Sequence, residues 1–113
     1  MKSKLLLLIL LLTTPAFCSP ETGTASYYSD NLSGHLMANG KPYTPSNLTC
    51  ASWYYPLGTK LEVTCGDKTV IVTVTDRGPN KRLHRLIDLS AKAFSTLADK
   101  RSGLITVSIK PLS

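Results

Sequence analysis

The run Thr69-Val70-Ile71-Val72-Thr73-Val74-Thr75-Asp76-Arg77-Gly78-Pro79 decides the fold. From Thr69 to Thr75 it is β-branched throughout, which suits a central strand. Asp76-Arg77-Gly78-Pro79 stops that strand abruptly. Just upstream, Lys60 to Cys65 alternates, with Leu61, Val63 and Cys65 on one side and Glu62 and Thr64 on the other. Gly66-Asp67-Lys68 between the two runs is a hairpin turn. Further out, Gly23 to Tyr28 reads as a short strand. Leu48 to Tyr55 follows a long loop and is closed by the turn Pro56-Leu57-Gly58. Downstream, Leu86-Ile87-Asp88-Leu89 precedes Ser90, which suits the cap of a short helix over Ala91 to Ala98. Ala93, Phe94 and Leu97 fall on one face of that helix. A last strand, Leu104 to Ile109, is stopped by Pro111. Short strands with one helix in so short a chain predict a mainly β fold that hides its edges by closing into a small barrel.

The loop from Ser29 to Pro45 is punctuated by Gly34, Asn39-Gly40, Pro42 and Pro45. A loop this long in a small domain is more often functional than idle.

The N-terminus carries the three parts of a secretory signal. Lys2 and Lys4 give a positive start, Leu5 to Leu12 is unbroken and apolar, and small residues follow. The apolar run is shorter than the roughly 20 residues needed to span a bilayer. Cleavage after Cys18 places Ala16 and Cys18 at the inspected positions. The competing reading keeps Cys18 as a lipidated first residue, a motif that Phe17 and Pro15 fit poorly. Residues 1–18 are therefore read as a signal peptide, 19–22 as a short tail and 23–111 as one domain. The protein is expected to be exported, to the periplasm or beyond, without a membrane span, and to act as a monomer.

The full chain has a formal charge of +6. Losing Lys2 and Lys4 reduces the excess but keeps it positive, which suits an anionic partner such as a cell-wall polymer as well as simple solubility. The absence of a basic helix or a nucleic-acid module argues against nucleic acid as a partner. Without Cys18 two cysteines remain. In an oxidising compartment an even count reads as one bridge, Cys50 to Cys65, with a contribution of roughly 3 kcal/mol. His35 and His84 stand at no zinc-like spacing from the cysteines. No metal or other cofactor is expected.

Six segments then fall in a familiar order: Gly23-x-Ala25-Ser26-Tyr27-Tyr28, Ala38-Asn39-Gly40-x-Pro42-Tyr43, Leu48-Thr49-x-Ala51, Pro56-Leu57-Gly58-Thr59, Val74-Thr75-Asp76-Arg77-Gly78-Pro79 and Ile87-Asp88-Leu89-Ser90. Together, from Gly23 to Ile109, they resemble the rare lipoprotein A (RlpA-like) family. The resemblance implies a six-stranded double-psi β-barrel with one or two short helices. It also implies a peptidoglycan glycan-strand partner and lytic transglycosylation in the bacterial envelope. The same barrel carries expansins, which loosen walls without measurable hydrolysis. The alternative to an enzyme is therefore a non-catalytic, expansin-like peptidoglycan- or polysaccharide-binding module. A third reading is an exported barrel whose partner is a protein.

Lytic transglycosylation needs a group that protonates the departing glycosidic oxygen and then takes a proton from the sugar's own C6 hydroxyl. The resemblance implies three catalytic positions: a Glu after Ala-Asn-Gly, a His further on, and the Asp of Asp-Arg-Gly-Pro. Here the first is Lys41, the second Ser52 and the third Asp76. Asp76 is the expected acid/base, or alternatively a turn residue bonding backbone amides. Asp88 matches the acidic residue of the expansin-type Asp-Leu-Ser segment and is the second catalytic candidate. Its bland reading is a helix-capping role beside Ser90. Lys41 and Ser52 are kept as substrate-binding candidates. Tyr27, Tyr43 and Trp53 are candidates for stacking on sugar rings, against the alternative that such aromatics plug the barrel. Arg77 is a candidate for a substrate carboxylate or for pairing with Asp76. The basic run Lys81, Arg82 and Arg85 is either a solvated face or a hold for anionic wall polymers.

Overall fold

The computed structural model describes residues 21–112; the proposed signal peptide and the possible lipidation of Cys18 lie outside the described residues. Six strands close into a barrel: β1 (Glu21–Tyr27), β2 (Thr49–Ala51), β3 (Lys60–Cys65), β4 (Lys68–Asp76), β5 (Ile87–Leu89) and β6 (Ile105–Pro111). Around the barrel the order is β1-β5-β2-β4-β3-β6. Two neighbouring pairs are parallel, β1 with β5 and β2 with β4, and the other four are antiparallel. This is the double-psi arrangement. Among the described residues, one α-helix, α1 (Ala91–Leu97), and three 3-10 turns complete it.

The β3–β4 hairpin runs in the register read from its alternation, Leu61 opposite Val72 and Val63 opposite Val70. Val70, Val72 and Val74 point inward, while Ile71 between them is exposed. A barrel strand has only one inner face, so a wholly β-branched run still alternates. Leu61, Val63, Ile87, Leu89, Val107 and Ile109 pack with them in the interior.

Helix α1 buries Ala93, Phe94 and Leu97, the face expected of it. Ser90 caps it, its Oγ accepting from the Ala93 amide at 3.2 Å and donating to the Asn47 carbonyl at 2.6 Å. At its start β1 extends to Glu21, so Glu21 and Thr22 pair with Ile109 and Ser108 rather than trailing free of the sheet. By contrast β2 is only Thr49–Ala51. The chain leaves the sheet at Ser52 because Ser52 Oγ accepts from the Tyr54 amide at 3.1 Å and Arg77 draws in the carbonyls of Ser52 and Tyr55.

The expected Cys50–Cys65 bridge is corrected: both thiols are free. Cys50 sits opposite Val74 and Cys65 opposite Lys68, at the two ends of β4. The span from Lys68 to Val74 is roughly 20 Å at about 3.3 Å per residue. A disulfide needs Cα atoms within about 7 Å. Cys50 instead serves as a core residue, and burial pushes its thiol up to about 12.

Candidate functional site

Four neighbouring strands bring Ser26, Asp88 and Asp76 to one rim of the barrel, with Ala51 between the aspartates. On β1, Ser26 faces Asp88 of β5; Asp88 faces Ala51 of β2; Ala51 faces Asp76 of β4. The β2–β4 register shifts between Cys50 and Ala51, which brings Asp76 rather than Thr75 opposite Ala51. The two aspartates thus share a rim, two strands apart.

Asp76 is bonded on both oxygens. Oδ1 accepts from the amides of Ala38 and Arg77, each at 2.8 Å. Oδ2 accepts from the Tyr28 hydroxyl at 2.6 Å. Burial first, and then the Asp76 bond, push the Tyr28 phenol upward, so it is held as a donor. The Asp76 carboxylate therefore pins the tip of the β1–β2 loop, where Leu36 bridges Pro42 and the Asn39 amide donates to the Thr75 carbonyl.

Asp88 is different. It is half-buried and accepts from Ser26 Oγ, which in turn accepts from the Arg85 guanidinium at 3.3 Å. Burial raises its carboxyl above 3.8; the Ser26 bond and the Arg85 charge oppose that rise, and Asp76 adds to it.

The remaining candidates separate. Tyr43 is fully buried, stacks on Tyr28 with centroids 4.5 Å apart, and accepts from the Ala91 amide at 3.1 Å. Tyr27 packs on Phe94 and donates to the Lys100 carbonyl, on the helix side of the barrel. Ser52 is buried beside the rim, its amide donating to the Asp76 carbonyl. Arg77 donates to the carbonyls of Ser52 and Tyr55 at 2.9 and 2.6 Å, so its guanidinium serves the backbone. Lys41 is exposed on the loop that Asp76 pins.

Trp53 alone of the expected aromatics lines a groove, one of about 350 Å³ shared with Tyr54, Lys81, His84 and Arg85. Of these, Tyr54 and His84 were not singled out for binding by the sequence. The compact basic run Lys81–Arg85 was the signal that marked this surface. Among the described residues, no group of His, Cys, Asp and Glu is arranged to hold a metal, and no helix is long and apolar enough to cross a membrane.

A closed six-stranded barrel in the order β1-β5-β2-β4-β3-β6 with two parallel strand pairs defines a double-psi β-barrel protein. Residues 20–109 match the profile of the double-psi family described as lytic transglycolase. The chain belongs to that RlpA-like family. It is 43% identical over 97 residues to an endolytic peptidoglycan transglycosylase RlpA of Rickettsia bellii, covering 81% of this chain and 42% of that protein. An RlpA of Vibrio cholerae is 35% identical, with 82% and 36% covered. The chain thus spans less than half the length of these curated relatives. An uncharacterised Synechocystis protein of similar extent is 38% identical, with 79% and 96% covered. Among solved structures, the Streptomyces papain inhibitor superposes with a TM-score of 0.68 at 28% identity, over 84% of this chain and 96% of that one. A Clavibacter michiganensis expansin, solved as a point mutant in complex with cellohexaose, gives 0.65 at 26%, over 83% and 50%.

The expectation of lytic-transglycosylase activity, and with it a lyase assignment, is corrected by these findings. Two of the structural neighbours are an inhibitor and an expansin. Of the three catalytic positions the resemblance implied, Lys41 and Ser52 supply neither carboxylate nor imidazole, and Asp76 has both oxygens turned to protein donors.

Proposed function

We propose that this domain is a non-catalytic, expansin-like polysaccharide-binding module of the cell envelope, with peptidoglycan glycan strands as its ligand. The observation that carries this reading is the bonding of Asp76. A general acid must place a proton between its own oxygen and the leaving group. Three protein donors already fill three of the roughly four lone-pair sites of Asp76, so a proton on Oδ1 would displace an amide that holds the loop and one on Oδ2 would have to share that oxygen with the Tyr28 hydroxyl. The position keeps its family residue but uses it to shape the rim.

Three features support wall-glycan binding. The family relatives are peptidoglycan transglycosylases by name. A structural neighbour was solved with a six-sugar glucan. Trp53 and Tyr54 are 43% and 60% exposed beside the groove, and aromatic faces suit sugar rings. Export rests on the N-terminal sequence, and it would bring the domain to the wall.

Incubating the purified protein with sacculi tests the reading. Expected are co-sedimentation with the sacculi and a supernatant free of new muropeptides by mass spectrometry. Release of anhydro-muropeptides, or protein left wholly in the supernatant, would overturn it.

A further inference from the structure

We infer that the groove between the start of β1 and the turn 80–86 selects acidic sugars: pyranose rings that carry a carboxylate or a phosphate. This rests on the domain being a polysaccharide binder and adds the charge its ligand must have.

The groove is lined by three basic side chains, Lys81, His84 and Arg85, and by no acidic one. Among the described residues the ion pairs are Lys100–Asp30 and Arg101–Asp99, both elsewhere. Lys81 and Arg85 therefore face the groove without a carboxylate in contact. The Lys81 ammonium stands 5.0 Å from the Trp53 ring centroid, where an aromatic face attracts a cation but does not neutralise it. The Arg85 guanidinium spends one NH on Ser26 Oγ, which itself donates to Asp88, so that carboxylate feels the Arg85 charge at one hydroxyl's remove. Asp88 thus orients Arg85 from the rear and leaves the other guanidinium donors for an incoming anion. A guanidinium matches the planar fork of a carboxylate or phosphate.

The apolar half of the groove is equally defined. Trp53 Nε1 donates to the Pro79 carbonyl at 2.6 Å, which fixes the indole while the residue stays 43% exposed. On the floor, Leu86 lies so close to Gly23 that a Cβ there would come within 2.8 Å of it. The glycine therefore lets the turn sit against β1. An aromatic face with two cations beside it, neither in a direct ion pair, fits a ring bearing an anion. A neutral sugar would offer neither cation a directly contacting anion.

Calorimetric titration of the purified protein with hexagalacturonate, phosphorylated pentamannose and neutral cellohexaose tests this. Expected is binding to one or both acidic oligosaccharides at least tenfold tighter than to cellohexaose, the two acidic arms showing which anion is preferred. Raising salt from 0.05 to 0.5 M should weaken that binding severalfold. The double variant Lys81→Gln/Arg85→Gln should lose at least about tenfold in affinity, as expected for a charge-assisted contact. Lys68→Gln/Lys92→Gln, matched in charge but outside the groove, should lose less than twofold. Should the groove variant fail to fold, chemical-shift changes at Trp53 Nε1 and Arg85 Nε of the unaltered protein on adding acidic oligosaccharide give the same test. Equal binding of cellohexaose, equal losses in both double variants, or shifts that spare Trp53 and Arg85 would overturn the inference. Binding to sacculi alongside equal binding of neutral and acidic sugars would sink this inference alone. Failure to bind sacculi or any oligosaccharide would sink the polysaccharide reading with it.

Discussion

The hydroxyl of Tyr28 donates a 2.6 Å hydrogen bond to Asp76, tying the end of β1 to the end of β4 across the barrel rim. That bond and the two amides on Oδ1 make Asp76 a structural centre for the loop from residue 29 to 48. Tyr28→Phe should cost about 1 kcal/mol in denaturant unfolding by leaving one oxygen short of a donor. Asp76→Ala orphans all three donors and should cost about 1–3 kcal/mol. It should also speed hydrogen exchange at the Ala38 amide. Unchanged exchange there would show that the carboxylate does not hold the loop.

Gly23 is the tightest glycine of the barrel, and its constraint is space rather than dihedral freedom. A methyl group there meets Leu86 Cβ at 2.8 Å and Cδ2 at 2.9 Å. The Cβ of Leu86 moves only with its backbone, so Gly23→Ala should destabilise by about 1–3 kcal/mol, as overpacking does. A second change, Leu86→Gly, which removes that Cβ, should recover part of that loss; thermal melts of both variants check it.

Asp88 links stability to pH. Its carboxyl is raised in the fold, chiefly by burial. The folded state therefore holds the proton more tightly than the unfolded chain does. The stability it contributes is fully present below 3.8, its ordinary value, and is lost as pH rises through its higher folded value. Asp88→Asn keeps an acceptor for Ser26 and should flatten this fall while raising the melting temperature at neutral pH. Unfolding curves across pH 3–7 check it; a variant whose profile parallels the parent's would show that Asp88 is not the group responsible.

The cysteines lie too far apart for a bridge, so reductant should leave the melting temperature unchanged. Cys65→Ser, at the outer end of β3, should shift stability by less than about 0.5 kcal/mol. A drop of roughly 3 kcal/mol on reduction would instead reveal a cross-link.

Much of this protein was written in local sequence. The β-branched run to Thr75 and the alternation from Leu61 to Cys65 specify a hairpin and its register. The Ser90 cap and the apolar spacing of Ala93, Phe94 and Leu97 specify α1. These features rest on hydrogen bonds and side-chain periods spanning a few residues, and so can be read along the chain. Only the tertiary structure decided what the marked residues do. Closure in the order β1-β5-β2-β4-β3-β6 sends Cys50 and Cys65 to opposite ends of β4. It also brings Tyr28 and the Ala38 amide onto Asp76, and gathers Trp53, Lys81 and Arg85 around one groove. Such contacts join residues tens of positions apart. Whether an aspartate meets solvent or three donors depends on which distant strand arrives beside it, and no local pattern carries that information.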